Sequence, residues 1–123
     1  MEVVIAPKAR SDMASILAWT QEMHGPQSLN RYSKLIQTAI EEVAADPELA
    51  GSVARPEIAK HCRTYHLFHS RKKAGKRGSR VRDPRHFLLY RRTETNVVEI
   101  GRVLHDSMEL EHHLPVGYRE VRD

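Results

Sequence analysis

Cysteine is almost missing from this 123-residue chain: Cys62 stands alone. No intrachain disulfide can form, and a reducing, cytoplasmic compartment is the expected home. No apolar run approaches the roughly 18–20 residues needed to cross hydrocarbon, so no membrane-spanning helix is expected. The opening Met1-Glu2-Val3-Val4-Ile5-Ala6-Pro7 lacks the basic flank and long apolar stretch of a secretory leader. Aromatic residues make up only 6% of the chain, and none falls between Arg71 and Arg85. That gap argues against an interleaved base-stacking surface in this stretch. Acid is scarce there too. The segment holds eight basic residues (Arg71, Lys72, Lys73, Lys76, Arg77, Arg80, Arg82, Arg85) and only Asp83, a net +7, whereas the rest of the chain carries 12 basic and 15 acidic residues, a net −3.

What is present suits one compact domain. Hydrophobic residues at 40% and charged residues at 29% exclude wholesale disorder, and the length allows one core but not two. Val3-Val4-Ile5 is short and β-branched, which predicts a strand. Met13, Ile16, Leu17, Thr20 and Met23/His24 recur at helical spacing over residues 8–24, with Pro7 at the start. Gly25-Pro26 ends that helix and opens a second, striped by Leu29, Tyr32, Ile36, Ala39/Ile40 and Val43 and closed before Pro47. Two amphipathic helices so joined form an antiparallel hairpin that needs a common surface. Three strands supply it, at residues 64–69, 85–91 and 97–104, with Thr93-Glu94-Thr95-Asn96 as a tight connection. Asp106 and Glu109 are spaced as a capping box opening a short helix that Pro115 stops. The expected class is α+β: an N-terminal strand, a helical hairpin, then a three-stranded antiparallel meander with a short C-terminal helix.

Several residues invite a chemical role. His61, Cys62, His66 and His69 supply nitrogen and sulfur within nine positions, but on a strand they splay to opposite faces, so no metal site is expected. Cys62 reads as a small buried hydrophobe. Trp19 lies off the first stripe and either stands exposed as an interface anchor or caps the core edge. The basic segment, rich in Gly75, Gly78, Ser79 and Pro84, reads as a solvated, mobile loop. Its charge would be costly self-repulsion without a use, so contact with nucleic acid or an acidic partner is the expectation.

Three stretches carry a resemblance. Val4-Ile5-Ala6-Pro7-Lys8-Ala9-Arg10-Ser11-Asp12, Arg85-His86-Phe87-Leu88-Leu89-Tyr90-Arg91 and Val103-Leu104-His105-Asp106-Ser107-Met108-Glu109-Leu110-Glu111-His112-His113-Leu114 resemble, in order and spacing, the RelE/ParE toxins of type II toxin–antitoxin systems, most closely the ParE branch. The resemblance covers residues 2–114, which implies a toxin domain over 1–114 and a tail over 115–123. It implies the same sheet-plus-hairpin fold, a cognate antitoxin that adds a helix and a strand in a hetero-oligomeric complex, and, for ParE-like members, DNA gyrase as target. RelE-like members are instead ribosome-dependent mRNA endonucleases. Such an enzyme needs a base, an acid and cations for phosphate; His105, Arg102, Glu99, Arg63 and Tyr90 are the candidates, with Arg102 and His105 foremost. Arg102 shares strand parity with Val98, Ile100 and Leu104, a charge on an apolar face, or else a strand-end arginine reaching water. His105 precedes an N-cap and suits a structural bond. No catalytic set assembles from residue types alone, so a docking toxin without cofactor is expected. Its contact residues are Trp19 and the basic segment Arg71, Lys72, Lys73, Lys76, Arg77, Arg80, Arg82 and Arg85.

Overall fold

A computed structural model describes residues 1–115 together with Gly117 and Tyr118. The chain runs β1 (Glu2–Ile5), α1 (Pro7–His24), α2 (Pro26–Ala45), β2 (Val53–Ala54), β3 (Cys62–His66), a 3-10 turn at Leu67–Ser70, a one-turn α3 (Arg71–Ala74), β4 (His86–Arg92), β5 (Val97–His105) and a 3-10 turn at Leu110–His113. One sheet is ordered β1-β5-β4-β3-β2, with β1 parallel to β5 and every other pair antiparallel. The α+β class, the hairpin and the β3-β4-β5 meander are therefore as expected, while β2 adds a two-residue strand that no periodicity could announce.

Gly25 alone separates the helices. Its φ of +89° lies where an L side chain is strained. Its N–H caps α1 on Gln21 O at 2.9 Å, and its carbonyl accepts from Leu29 N at 3.1 Å to start α2. The hairpin is asymmetric. α2 buries Tyr32, Leu35, Ile36, Ala39, Ile40 and Val43, whereas α1 buries only Ala9 and Thr20 and leaves Met13, Ile16 and Leu17 partly covered. Each fully buried large aliphatic side chain is worth about 1.5–3 kcal/mol, so α2 supplies most of the hairpin's apolar burial. Met23, expected on the buried stripe, is 58% exposed, in a last turn of α1 whose residues 21–24 are all exposed.

Alternation along β4 divides the sheet's two faces. Leu88 and Tyr90 join Tyr65, Val98, Ile100 and Val103 under the helices; Leu89 joins Cys62, Ile58, Ala59 and Tyr118 on the other side. Strict alternation fails in β5. Leu89 faces Arg102 but Tyr90 faces Ile100, so Gly101 is an extra, bulged residue. Beyond it Val103, not Arg102, lies with the helix-side core, which corrects the parity expected for Arg102. The bulge admits the C-terminal segment: a Cβ on Gly101 would sit 2.6 Å from Pro115 Cγ and 2.7 Å from Tyr118 Oη. Gly101→Ala should cost about 1–3 kcal/mol by overpacking, read as a lower urea midpoint; an unchanged midpoint would contradict this close fit. The tail expected over residues 115–123 is described only at Pro115, Gly117 and Tyr118, and its remaining positions lie outside the described residues.

Three local expectations are corrected. β3 stops at His66 instead of continuing to residue 69, because His66 Nδ1 accepts Phe68 N–H at 3.1 Å and turns the chain so that Leu67 enters the core. The capping box does not form. Asp106 is drawn to Arg85 and His66, and the following helix is a single 3-10 turn with no side-chain cap. The basic segment is not a free loop: it begins as α3, buries Ala74 and Pro84, and packs Val81 against the main core.

Candidate functional site

The basic segment sorts into neutralised and open charges. Arg85 grips Asp106 with two nitrogens, Nη2 at 2.9 Å and Nε at 3.0 Å, and Lys73 Nζ lies 3.8 Å from Glu42. Arg71 stacks its guanidinium 4.0 Å over the Phe68 ring, which is 45% exposed. Arg71, Lys76 and Arg80 line a cleft of about 320 Å³ beside α2. Arg80 is fixed there by donating Nε to Gly75 O at 2.9 Å. Lys72, Arg77 and Arg82 are exposed and do not line it.

Where β3 ends, β4 begins and β5 ends, the meander gathers a second group that sequence reasoning did not assemble. Tyr32 of α2 hydrogen-bonds His86 Nδ1 at 2.6 Å and accepts Arg85 N–H at 3.3 Å. A phenol both accepts and donates, so the oxygen that takes the Arg85 N–H also pairs with the His86 ring. Burial pushes the phenol up to about 12 and holds the His86 imidazole down to about 4, the nearby His105 adding to the latter. The His86 and His105 rings meet edge to face at 5.2 Å. His105 Nδ1 accepts Ser107 N–H at 3.1 Å, a structural bond at the strand end of the kind expected for it. His66 Nε2 lies 3.1 Å from Asp106 Oδ2. The bonds from Arg85, the largest cause, keep the Asp106 carboxyl down at about 2. The pairing of His86 with His105 follows from strand register, and that register was the only signal in the sequence that could have found it.

The enzyme candidates are dispersed. Arg102 is held in a bidentate pair with Asp12 of α1, Nε–Oδ2 2.7 Å and Nη2–Oδ1 2.9 Å, while Nη1 donates to His113 O at 3.0 Å. Asp12 also accepts Val103 N–H at 3.0 Å, filling the β5 edge that β1 leaves open beyond Ile100. Arg63 binds Ser52 beside β2, Glu99 pairs with Arg91, and Tyr90 is buried and donates to Pro47 O. Cys62 is 2% exposed with its thiol pushed up to about 12 by burial. His69 does not lie on a strand: it packs beside Gly51 and Tyr65. Trp19 is 56% exposed on α1 and meets the His24 ring edge-on at 5.6 Å. Of its two sequence-level alternatives, the exposed one is found.

Among the described residues no helix is long and apolar enough to cross a membrane. No curated protein matches the chain. A family model described as the ParE toxin of type II toxin–antitoxin system, parDE, matches residues 3–110, from β1 through the whole sheet to the final 3-10 turn. The match spans both helices, the meander and the residues from Val103 to Leu110, and the chain belongs to the ParE toxin family of type II toxin–antitoxin systems.

Proposed function

We propose that this toxin arrests growth by docking on DNA gyrase in the cytoplasm, and that its cognate antitoxin silences it by covering the docking surface. One observation carries the non-catalytic part of this reading. The arginine best placed by sequence to stabilise a phosphate transition state, Arg102, already spends Nε, Nη1 and Nη2 on Asp12 and His113. A guanidinium so committed holds α1 to the sheet and leaves little for a scissile phosphate. The exposed Trp19 and Met23 on α1 and the open charges of the basic segment supply the aromatic and cationic anchors that protein docking favours. The short outer strands β1 and β2 leave sheet edges for an added antitoxin strand.

The purified protein added to gyrase and relaxed plasmid should block supercoiling, and Trp19→Ala should weaken that block about tenfold or more, as expected for a hot-spot aromatic. Undisturbed supercoiling at saturating protein would remove the reading. A second reading, a ribosome-dependent endoribonuclease acting through His105, draws support from the His86–His105 contact, since two adjacent imidazoles can divide acid and base roles. It requires that a folded His105→Gln variant lose message cleavage.

A further inference from the structure

The cleft between α2 and the basic segment is unusual in what surrounds it. α2 contributes Arg31 and Lys34, α3 contributes Arg71, and the turn beyond contributes Lys76 and Arg80. No carboxylate lines it. Nor does any of these five cations form an ion pair among the described residues, although the neighbouring Lys73 and Arg85 are each neutralised by an acid. Five like charges around about 320 Å³ repel one another, and low-dielectric walls focus their field into the space between them. The local fold enforces the arrangement. Leu35 is 1% exposed and Ala74 is 8% exposed, so burying these two apolar residues holds the cationic faces of α2 and α3 toward each other.

A polyanion is the chemistry that satisfies such a site, and two features favour a nucleic-acid strand over an acidic peptide. Arg71 serves the cleft and at the same time sits over the exposed Phe68 ring, its Cζ 4.0 Å from the ring centre. A cation track flanked by an aromatic–guanidinium stack is how non-specific single-strand binders hold phosphates and bases together. Outside the cleft, Lys72, Arg77 and Arg82 remain exposed along the same segment and prolong the positive track. The sequence offered no aromatic between Arg71 and Arg85; the turn at Leu67–Ser70 brings Phe68 in from just ahead.

We propose that this cleft binds the phosphodiester backbone of a single-stranded nucleic acid, with Arg31, Lys34, Arg71, Lys76 and Arg80 on phosphates and Phe68 offering its ring to a base. The site does not depend on gyrase being the target. The probe is a fluorescein-labelled mixed-sequence strand of about 12 nucleotides, within the span of ordinary single-strand sites. It is titrated by anisotropy as DNA and as RNA from about 50 to 200 mM salt, beside an oligoglutamate of equal charge. Both strands should bind more tightly than oligoglutamate, and the ratio between them tells which sugar is preferred. The triple variant Arg71→Gln/Lys76→Gln/Arg80→Gln, checked as folded by circular dichroism, should lose at least tenfold in affinity. Its log affinity against log salt should be shallower by about 2, from roughly 0.7 per lost phosphate contact. Phe68→Leu should weaken binding about fivefold or more with the slope unchanged, because stacking releases no counterions. Equal binding of oligoglutamate, or a folded triple variant with unaltered affinity and slope, would overturn the site. Supercoiling inhibition measured on the same preparation separates this failure from that of the gyrase reading.

Discussion

Replacing Arg102 with Ala should cost about 3–5 kcal/mol, a large share of a typical domain stability of roughly 5–15 kcal/mol. The pair is enclosed: the Arg102 side chain is 12% exposed and that of Asp12 16%. Removing the arginine strands a half-buried carboxylate with only Val103 N–H to answer it, and frees His113 O at the other end of the clamp. The clamp joins α1 on one face of the sheet to the C-terminal segment on the other, around an edge that β1 does not cover. Breaking it therefore loosens both layers. Asp12→Asn should be less damaging, since an amide oxygen in the place of Oδ2 still accepts two of the three bonds, from Arg102 Nε and Val103 N–H. Urea unfolding followed by circular dichroism measures both. A wild-type midpoint for Arg102→Ala would show that the clamp is dispensable and return that guanidinium to the pool of functional cations.

Acid should weaken the fold well before the carboxylates titrate. His86 is held down to about 4 in the native state against an ordinary value near 6.5. A group with a depressed native pKa stabilises the fold above its unfolded value, and that stability is lost as pH falls through the window from 6.5 toward 4. Between pH 7 and pH 5 the loss is about 2 kcal/mol, from 1.36 kcal/mol per unit applied to the part of the shift crossed. The geometry explains the sign. Burial is the largest cause, since a charged imidazole there loses its hydration, and protonation also places charge beside the His105 ring and Arg85. Asp106, held at about 2, works in the same direction but only below its ordinary value near 3.8, so the two steps are separable. Urea midpoints at pH 7 and pH 5 should fall steeply for the wild type and less for His86→Gln. Parallel falls would assign the acid sensitivity elsewhere.

The helices were legible because their information is local. The stripe Tyr32, Ile36, Ala39/Ile40 and Val43 and the Gly25-Pro26 joint state both the face and the turn. β4 and β5 were legible as β-branched and aromatic runs around a short polar turn, where Thr93 N–H meets Val97 O at 2.8 Å. Illegible were the places where a distant partner outcompetes a local one. Asp106 has the spacing to cap a helix, yet Arg85, 21 positions earlier, and His66 together engage both of its carboxylate oxygens. The bulge at Gly101 is visible only through what approaches it from Pro115 and Tyr118. The functional surface divided in the same way. That residues 71–85 are cationic could be read directly. Which charges stay open depends on Glu42 and Asp106, and on Arg31 and Lys34 facing the segment from α2. Tyr32 and His86 meet across 54 positions, so their shared bond had no local signature at all.

The docking account is tested most directly in one reaction that holds gyrase with relaxed plasmid and ribosomes programmed with message. Adding the toxin should halt supercoiling while full-length message persists, and adding the cognate antitoxin should restore supercoiling. Severed message with undiminished supercoiling, abolished by a folded His105→Gln variant, would contradict it.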